Sequence, residues 1–275
     1  MLIVLFMFHD SAYRQKASGM RPATRLHDLR DQIARIERGA AARPGAVVRF
    51  GIPAIDEALP RSGLALGALH EVAGAGPDTE HGAAATLFTA GILSRMAGPV
   101  LWVVDHPDLF APGLAGAGLH PDRVIFAEAG KDVLATMEEG LRHPGLAAVI
   151  GEISGRLSLV ASRRLQLAAE QSGCPAFALR RSRQFDDPVL TEPTAAATRW
   201  RVASLPSLPV LAHAPAVPGL ARARWRLTLT RCRGGEPGSW MVEACDAAGA
   251  LCLIPDALIP DALISDALAG TRLRA

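Results

Sequence analysis

Short apolar runs without alternation recur at 100–104, 124–126, 147–150 and 176–179, and stretches of helical composition near 107–117, 130–142 and 156–172 separate them. Runs of this kind predict strands buried on both faces, and their alternation with helices predicts a parallel sheet. Upstream, 47–53 reads as a short edge strand and turn, 54–59 as a helix, and 67–73 as a strand. That strand runs into a glycine-rich stretch over 74–82, and 83–96 again has helical composition. Near the start, Leu26, Leu29, Ile33 and Ile36 fall at alternating three- and four-residue steps, the seam of an amphipathic helix over 24–38. The seam would dock on its own domain, or on a neighbouring protomer or partner.

Beyond residue 186 the pattern changes. Pro188, Pro193, Pro206, Pro209, Pro215 and Pro218 crowd an irregular stretch broken by a strand at 200–203. Clean alternation over 225–231, then Gly234-Gly235 and 240–243, predicts an antiparallel hairpin. Pro255, Pro260 and Ser265 each open an Asp-Ala-Leu repeat whose five-residue period matches neither helix nor strand, which reads as a low-complexity tail. The expected organisation is therefore an N-terminal segment (1–44), an α/β core (45–185), a Pro/Arg-rich connection (186–222), a β-hairpin completing the core (223–254) and the tail (255–275).

With 275 residues, 49% hydrophobic and 20% charged, the chain has the composition of a globular protein rather than a disordered or fibrous one. Aromatics are only 5%, so the core is expected to be mostly aliphatic. The net charge of +2 conceals an uneven distribution: residues 156–233 hold thirteen arginines against four carboxylates, whereas 1–155 holds fourteen basic against seventeen acidic residues. Such a surplus hints at nucleic acid or an acidic partner. Cys174, Cys232, Cys245 and Cys252 form no C-x-x-C and no regular spacing with histidine, so neither a zinc site nor a disulfide framework is indicated and a reducing cytoplasm is expected. The apolar opening 1–8 is too short to span a bilayer and lacks a basic flank, so no membrane association is expected; Met20 offers an alternative start.

Strand, glycine turn and helix is the layout of a phosphate-binding loop. A working loop reads G-x-x-x-x-G-K-[ST]: backbone amides cradle phosphate, the lysine neutralises it, and the hydroxyl holds Mg²⁺. Here Gly76 and Gly82 enclose five residues rather than four, and Ala83 and Ala84 follow. Asp78 and Glu80 add charge that repels a triphosphate. Asp105, His106 and Asp108 suggest a hydrolase cluster, but neighbours on an extended chain point apart and no G-x-S-x-G elbow is present.

The runs 48–59 and 63–74, with 85–88, 101–105 and the hairpin 225–242, resemble the core of RecA-type ATPases over about residues 45–245. They most resemble the ImuA family, RecA-like proteins of bacterial mutagenesis cassettes whose Walker motifs have decayed. The resemblance implies a RecA-like core of mostly parallel sheet flanked by helices, with a C-terminal antiparallel hairpin. It places Gly74, Gly76 and Gly82 in a degenerate nucleotide loop and Gly151 or Glu152 at the Walker B position. Arg180 and Arg181 stand where RecA-type proteins carry a polar γ-phosphate sensor. The function implied is a non-catalytic adaptor in damage-induced (SOS) translesion synthesis, bridging ImuB and an error-prone DnaE-type polymerase. No cofactor or metal is expected.

Two other readings stay open. One is a DNA-stimulated ATPase using ATP through Gly74, Gly76, Gly82 and Glu152; the other is a cell-division inhibitor of the SulA kind. Contacts to partner or single-stranded DNA are expected from Arg163, Arg164, Arg180, Arg181, Arg222, Arg224 and Arg226, the last three set near Trp225 in a pattern suited to base stacking, as Arg201 is beside Trp200. Self-association is expected through the Leu26–Leu29–Ile33–Ile36 seam.

Overall fold

The structure, a computed structural model, describes residues 46–255 except 208–210, 212, 215–216 and 218–220. The predicted helix bearing Leu26, Leu29, Ile33 and Ile36, and the repeats beyond residue 255, lie outside the described residues.

Eleven strands are seen among these residues: β1 (Val47–Val48), β2 (Leu64–Ala65), β3 (Leu69–Gly74), β4 (Val100–Val104), β5 (Val124–Glu128), β6 (Ala148–Ser154), β7 (Ala176–Arg181), β8 (Thr198–Leu205), β9 (Arg224–Cys232), β10 (Gly238–Glu243) and β11 (Cys252–Leu253). The α-helices are α1 (Pro53–Asp56), α2 (Asp78–Ser94), α3 (Ala111–Ala115), α4 (Val133–Leu141) and α5 (Leu159–Ser172). Strands β1 and β2 pair with each other, so 47–48 is not an edge of the main sheet. The remaining nine form one sheet in the order β11-β10-β9-β8-β3-β7-β6-β4-β5. It is parallel from β8 through β5 and antiparallel from β8 outward through β9, β10 and β11.

Helices cover both faces. On one, Ala84, Ala85 and Phe88 of α2 pack with Val72, Trp102, Ile150 and Phe177. On the other, Met137 and Leu141 of α4 and Leu165 and Ala169 of α5 pack with Val103, Val149 and Ala178. The alternation along β6 assigns Ile150 and Glu152 to the α2 face and Val149 and Gly151 to the α4 face. A Cβ on Gly151 would lie 2.1 Å from the Met137 sulfur, so glycine here is what lets α4 approach the sheet. Helix α5 starts where the Ser158 hydroxyl accepts from the Ala161 amide at 3.1 Å and stops at Gly173 with φ +74°, a left-handed terminus.

Two expectations need correction. Helix α2 begins at Asp78 rather than at 83, so Thr79, Glu80, His81 and Gly82 are helical rather than loop. Pro77 at its start and two acidic residues in its first turn are the local signals for that boundary. The stretch near 107–117 yields only the five-residue α3.

His70 on β3 is buried; its Nδ1 lies 2.8 Å from the Thr198 hydroxyl and its Nε2 2.8 Å from the Ala65 carbonyl. Burial holds its pKa down at about 4, against a weaker upward pull from the Ala65 carbonyl. From pH 6.5 down to about 4 the unfolded chain accepts a proton that the folded one refuses. Stability is therefore fully present above pH 6.5 and falls through that window, by up to about 3 kcal/mol. Urea midpoints at pH 7, 6 and 5 should decline more steeply for the parent than for His70→Gln; parallel declines would assign the acid sensitivity to other groups.

Candidate functional site

At the carboxyl ends of β3, β4, β6 and β7, around the first turns of α2, lies a cleft of about 960 Å³. Sheets of this kind place ligands at such a position. Its walls include Asp78, Gly82, Leu87, Asp105, Asp108, Phe110, Glu152, Arg181 and Asp187.

Two amides of the glycine turn leading into the cleft are already engaged. The Ala75 amide donates to the Val202 carbonyl at 3.0 Å and the Asp78 amide to the Ser182 carbonyl at 2.8 Å, while Pro77 has no amide hydrogen. In return the Asp78 carboxylate accepts from the Ser182 amide at 3.0 Å. Burial raises the pKa of Asp78, opposed by the nearby Arg181 charge and the Ser182 amide. The His81 side chain folds back over the turn: a Cβ on Gly74 would lie 2.9 Å from His81 Cβ, and one on Gly76 3.0 Å from its ring. His81 Nδ1 accepts from the Ser204 amide at 3.1 Å, which fixes it there.

On the opposite wall, Glu152 is 3% exposed and both its oxygens are used. Trp102 Nε1 donates to Oε1 at 2.9 Å; Arg181 donates to Oε2 from Nε at 2.9 Å and Nη2 at 2.7 Å. The third guanidinium nitrogen, Nη1, lies 3.3 Å from where a Gly82 Cβ would stand. Arg181 thus spans from β6 to the start of α2, an internal cation between the two walls. Gly82 and Glu152 are brought to this one cleft, with Gly74 and Gly76 in the turn that enters it. Among the described residues no group of three His, Cys, Asp or Glu side chains is arranged to hold a metal ion.

The other expected arginines are not gathered into one surface. Arg180 is 1% exposed, donating to Glu71 at 3.2 Å and to the Gly155 carbonyl at 2.6 Å, and Arg224 is 6% exposed within the sheet. Both corrections have one cause: adjacent strand residues face opposite ways, and a charge count does not say which way. Arg163 and Arg164 are exposed on α5, the latter paired with Glu138 at 2.5 Å. Arg222 donates to the Ala250 carbonyl at 2.6 Å, and Arg226 is half-buried on β9, which β8 and β3 separate from β7. Trp200 and Trp225 are buried, so neither ring is presented for stacking on bases.

Much of the charge surplus over 156–233 is engaged by groups of the chain itself, at half-buried positions such as Arg199 and Arg201 and at exposed ones such as Arg231 and Arg233. Arg199 donates to Glu71 and to the Glu192 carbonyl, Arg201 to the Leu190 carbonyl, Arg231 to the Thr194 carbonyl and Arg233 to the Ala195 carbonyl. Arg156 pairs with Glu192 at 2.7 Å. Together these arginines pin the irregular stretch 190–195 against the sheet, an assignment that only the tertiary structure reveals. Trp102, Ser182, Phe110 and Phe185 were not marked by any sequence signal, although Trp102 sits in an evident strand.

No family model matches the chain. It is 41% identical over 214 residues to Protein ImuA of Caulobacter vibrioides strain NA1000, covering 74% of this chain and 86% of that protein, and equally to Protein ImuA of Caulobacter vibrioides strain ATCC 19089. Among solved structures it is similar to the RadB recombinase, with a TM-score of 0.54 and 16% identity over 76% of this chain and 100% of that one. That likeness shows the fold, a RecA-like one, with a mostly parallel sheet flanked by helices and an antiparallel hairpin at the end.

Proposed function

The chain belongs to the ImuA family of RecA-like proteins, and from that premise we propose that it serves damage-induced mutagenesis as a non-catalytic adaptor. The observation that carries this reading is the closure of Glu152 by Arg181 and Trp102. A Walker B carboxylate has to face a metal and its water; here both oxygens already accept hydrogen bonds, and Oε2 could turn to a metal only by giving up its bidentate pair with Arg181. The residues also do not fit a nucleoside triphosphate. Ala83 and Ala84 stand where a lysine and a hydroxyl are needed, and the amides of Ala75 and Asp78 are bonded to the carbonyls of Val202 on β8 and of Ser182 just past β7. Acidic Asp78 and Glu80 meet the helix N-terminus that would otherwise attract phosphate.

As an adaptor the protein would bridge ImuB and an error-prone DnaE-type polymerase in translesion synthesis. No helix among the described residues is long and apolar enough to cross a membrane. The test pairs two measurements on the purified protein. ATP turnover, with and without single-stranded DNA, should not exceed that of Ala83→Trp, which fills the cleft and exposes any contaminating ATPase. Both partners should co-purify with the parent protein. Turnover lost in Ala83→Trp would overturn the adaptor reading in favour of an ATPase with an atypical loop, and retention of neither partner would remove the bridging role.

A further inference from the structure

The cleft closed to nucleotide has not been filled. It keeps about 960 Å³ of space, with Ala83, Leu87, Leu109 and Leu114 among its walls. Its charge is the reverse of a phosphate site. With Arg181 and Glu152 cancelling one another, Asp78, Asp105, Asp108 and Asp187 remain against Arg183 alone, on a protein whose net charge is +2. His106 lies between two of these carboxylates, 2.6 Å from Asp105 and 3.5 Å from Asp108, and is well exposed.

Two large apolar side chains stand out of this same surface. Phe110, on the segment after β4, lines the cleft and is 73% exposed. Phe185, one residue past the lining residues Arg183 and Gln184, is 74% exposed and sits beside the glycine turn, 3.6 Å from the Cβ position of Gly76. They are the two most exposed large hydrophobic residues among those described, and each follows a strand that ends at the cleft. Exposed phenylalanines cost solubility, and aromatic residues flanking a concave surface are what protein-binding surfaces use as anchors.

We propose that the former nucleotide cleft is a docking site for a polypeptide segment of a partner protein that carries arginine or lysine between apolar residues. The basic groups would meet Asp105 and Asp108, and the apolar ones Phe110 and Phe185. Charge complementarity selects this occupant: a nucleic acid or any phosphate-bearing ligand would be repelled by the same carboxylates. The inference deepens the adaptor reading and rests on it, since it names the surface through which the adaptor holds a partner. It also explains why an ion pair rather than a bulky side chain closes the Walker B position: Arg181 neutralises Glu152 and leaves the opening free.

A short fluorescent peptide of alternating arginine and leucine, with a glutamate–leucine peptide as control, is the probe. Parent protein should bind only the first. Asp105→Asn with Asp108→Asn, and separately Phe110→Ser with Phe185→Ser, should each weaken it about tenfold or more, as loss of interface anchors does. Glu139→Gln and Asp122→Asn, on exposed positions away from the cleft, should leave binding unaltered. The same variants are then used to retain ImuB and the polymerase. Loss of the peptide and of one partner in the cleft variants supports the proposal. Cleft variants that bind both like the parent, or a parent protein that binds no basic peptide, would overturn it while leaving the adaptor reading standing. A parent protein that binds the peptide through the cleft but retains neither partner would sink the adaptor reading alone. An oligonucleotide competing for the same residues would also refute the polypeptide assignment.

Discussion

Replacing Arg181 by alanine is expected to destabilise the protein by about 3–5 kcal/mol, because it strands the Glu152 carboxylate in the interior without its cation. Among the described residues Glu152 has no other charged partner: its remaining hydrogen bond comes from the neutral Trp102 indole. Removing one half of such a pair costs far more than the pair itself contributes, since the desolvation already suffered by the survivor is no longer offset. The double variant Arg181→Met with Glu152→Gln should therefore recover most of the loss, the amide still accepting from Trp102. Urea unfolding of Arg181→Met, Glu152→Gln and the double variant gives the coupling directly. Additive effects would mean that Arg181 and Glu152 are not a functional pair and that the cleft wall is held some other way. The same measurement bears on function, because a wall that tolerates loss of Arg181 would leave Glu152 able to turn toward a metal.

Trp200→Ala should be comparably damaging, about 3–5 kcal/mol, for a different reason. Its ring lies at the centre of an aromatic cluster, with centroids 5.5 Å from Phe50, 5.6 Å from Phe88 and 6.1 Å from Trp240. Phe50 precedes α1, Phe88 is on α2, and Trp240 is on β10, so one side chain ties the entry segment, the helix behind the cleft and the hairpin together. Its Nε1 also donates to the Thr198 hydroxyl at 3.1 Å, the group that His70 contacts. Truncation opens a cavity and loosens that polar pair; Trp200→Phe, which keeps a ring there, should cost less than half as much. Trp240→Ala, at a half-buried site, is expected to fall between them or below. Thermal unfolding of the three variants sets the order, and a mild effect of Trp200→Ala would show that the hairpin is not anchored through this ring.

The parallel strands were legible because a strand buried on both faces must be apolar throughout: Val100 to Val104 and Ala176 to Leu179 announce themselves. The start of α2 was not, because Pro77-Asp78-Thr79-Glu80 reads equally as a turn and as a capped first turn, and the glycines on either side favoured the former. Orientation was the larger loss. Arg180 and Arg181 are neighbours with the same chemistry, yet one is locked to Glu71 and the other to Glu152, partners 109 and 29 residues away. Nothing local encodes those separations, so the arginine surplus does not by itself say which side chains are held within the fold and which remain exposed. The cleft itself was legible only as a defect, a loop lacking its lysine; that space and opposite charge remain is visible only once Asp105, Asp108 and Asp187 are brought round it.

The position of β3 carries a consequence for synthesis. It lies between β7 and β8, so both of its edges wait for strands made much later; the contact of Glu71 with Arg199 spans 128 residues. At ribosomal rates of about 5–20 residues per second, the nascent chain carries β3 with at least one unpaired edge for roughly 6–25 s before its second neighbour emerges. The central strand of the sheet is thus made early and enclosed late, so the nascent chain keeps an open sheet edge exposed to other strands throughout that interval.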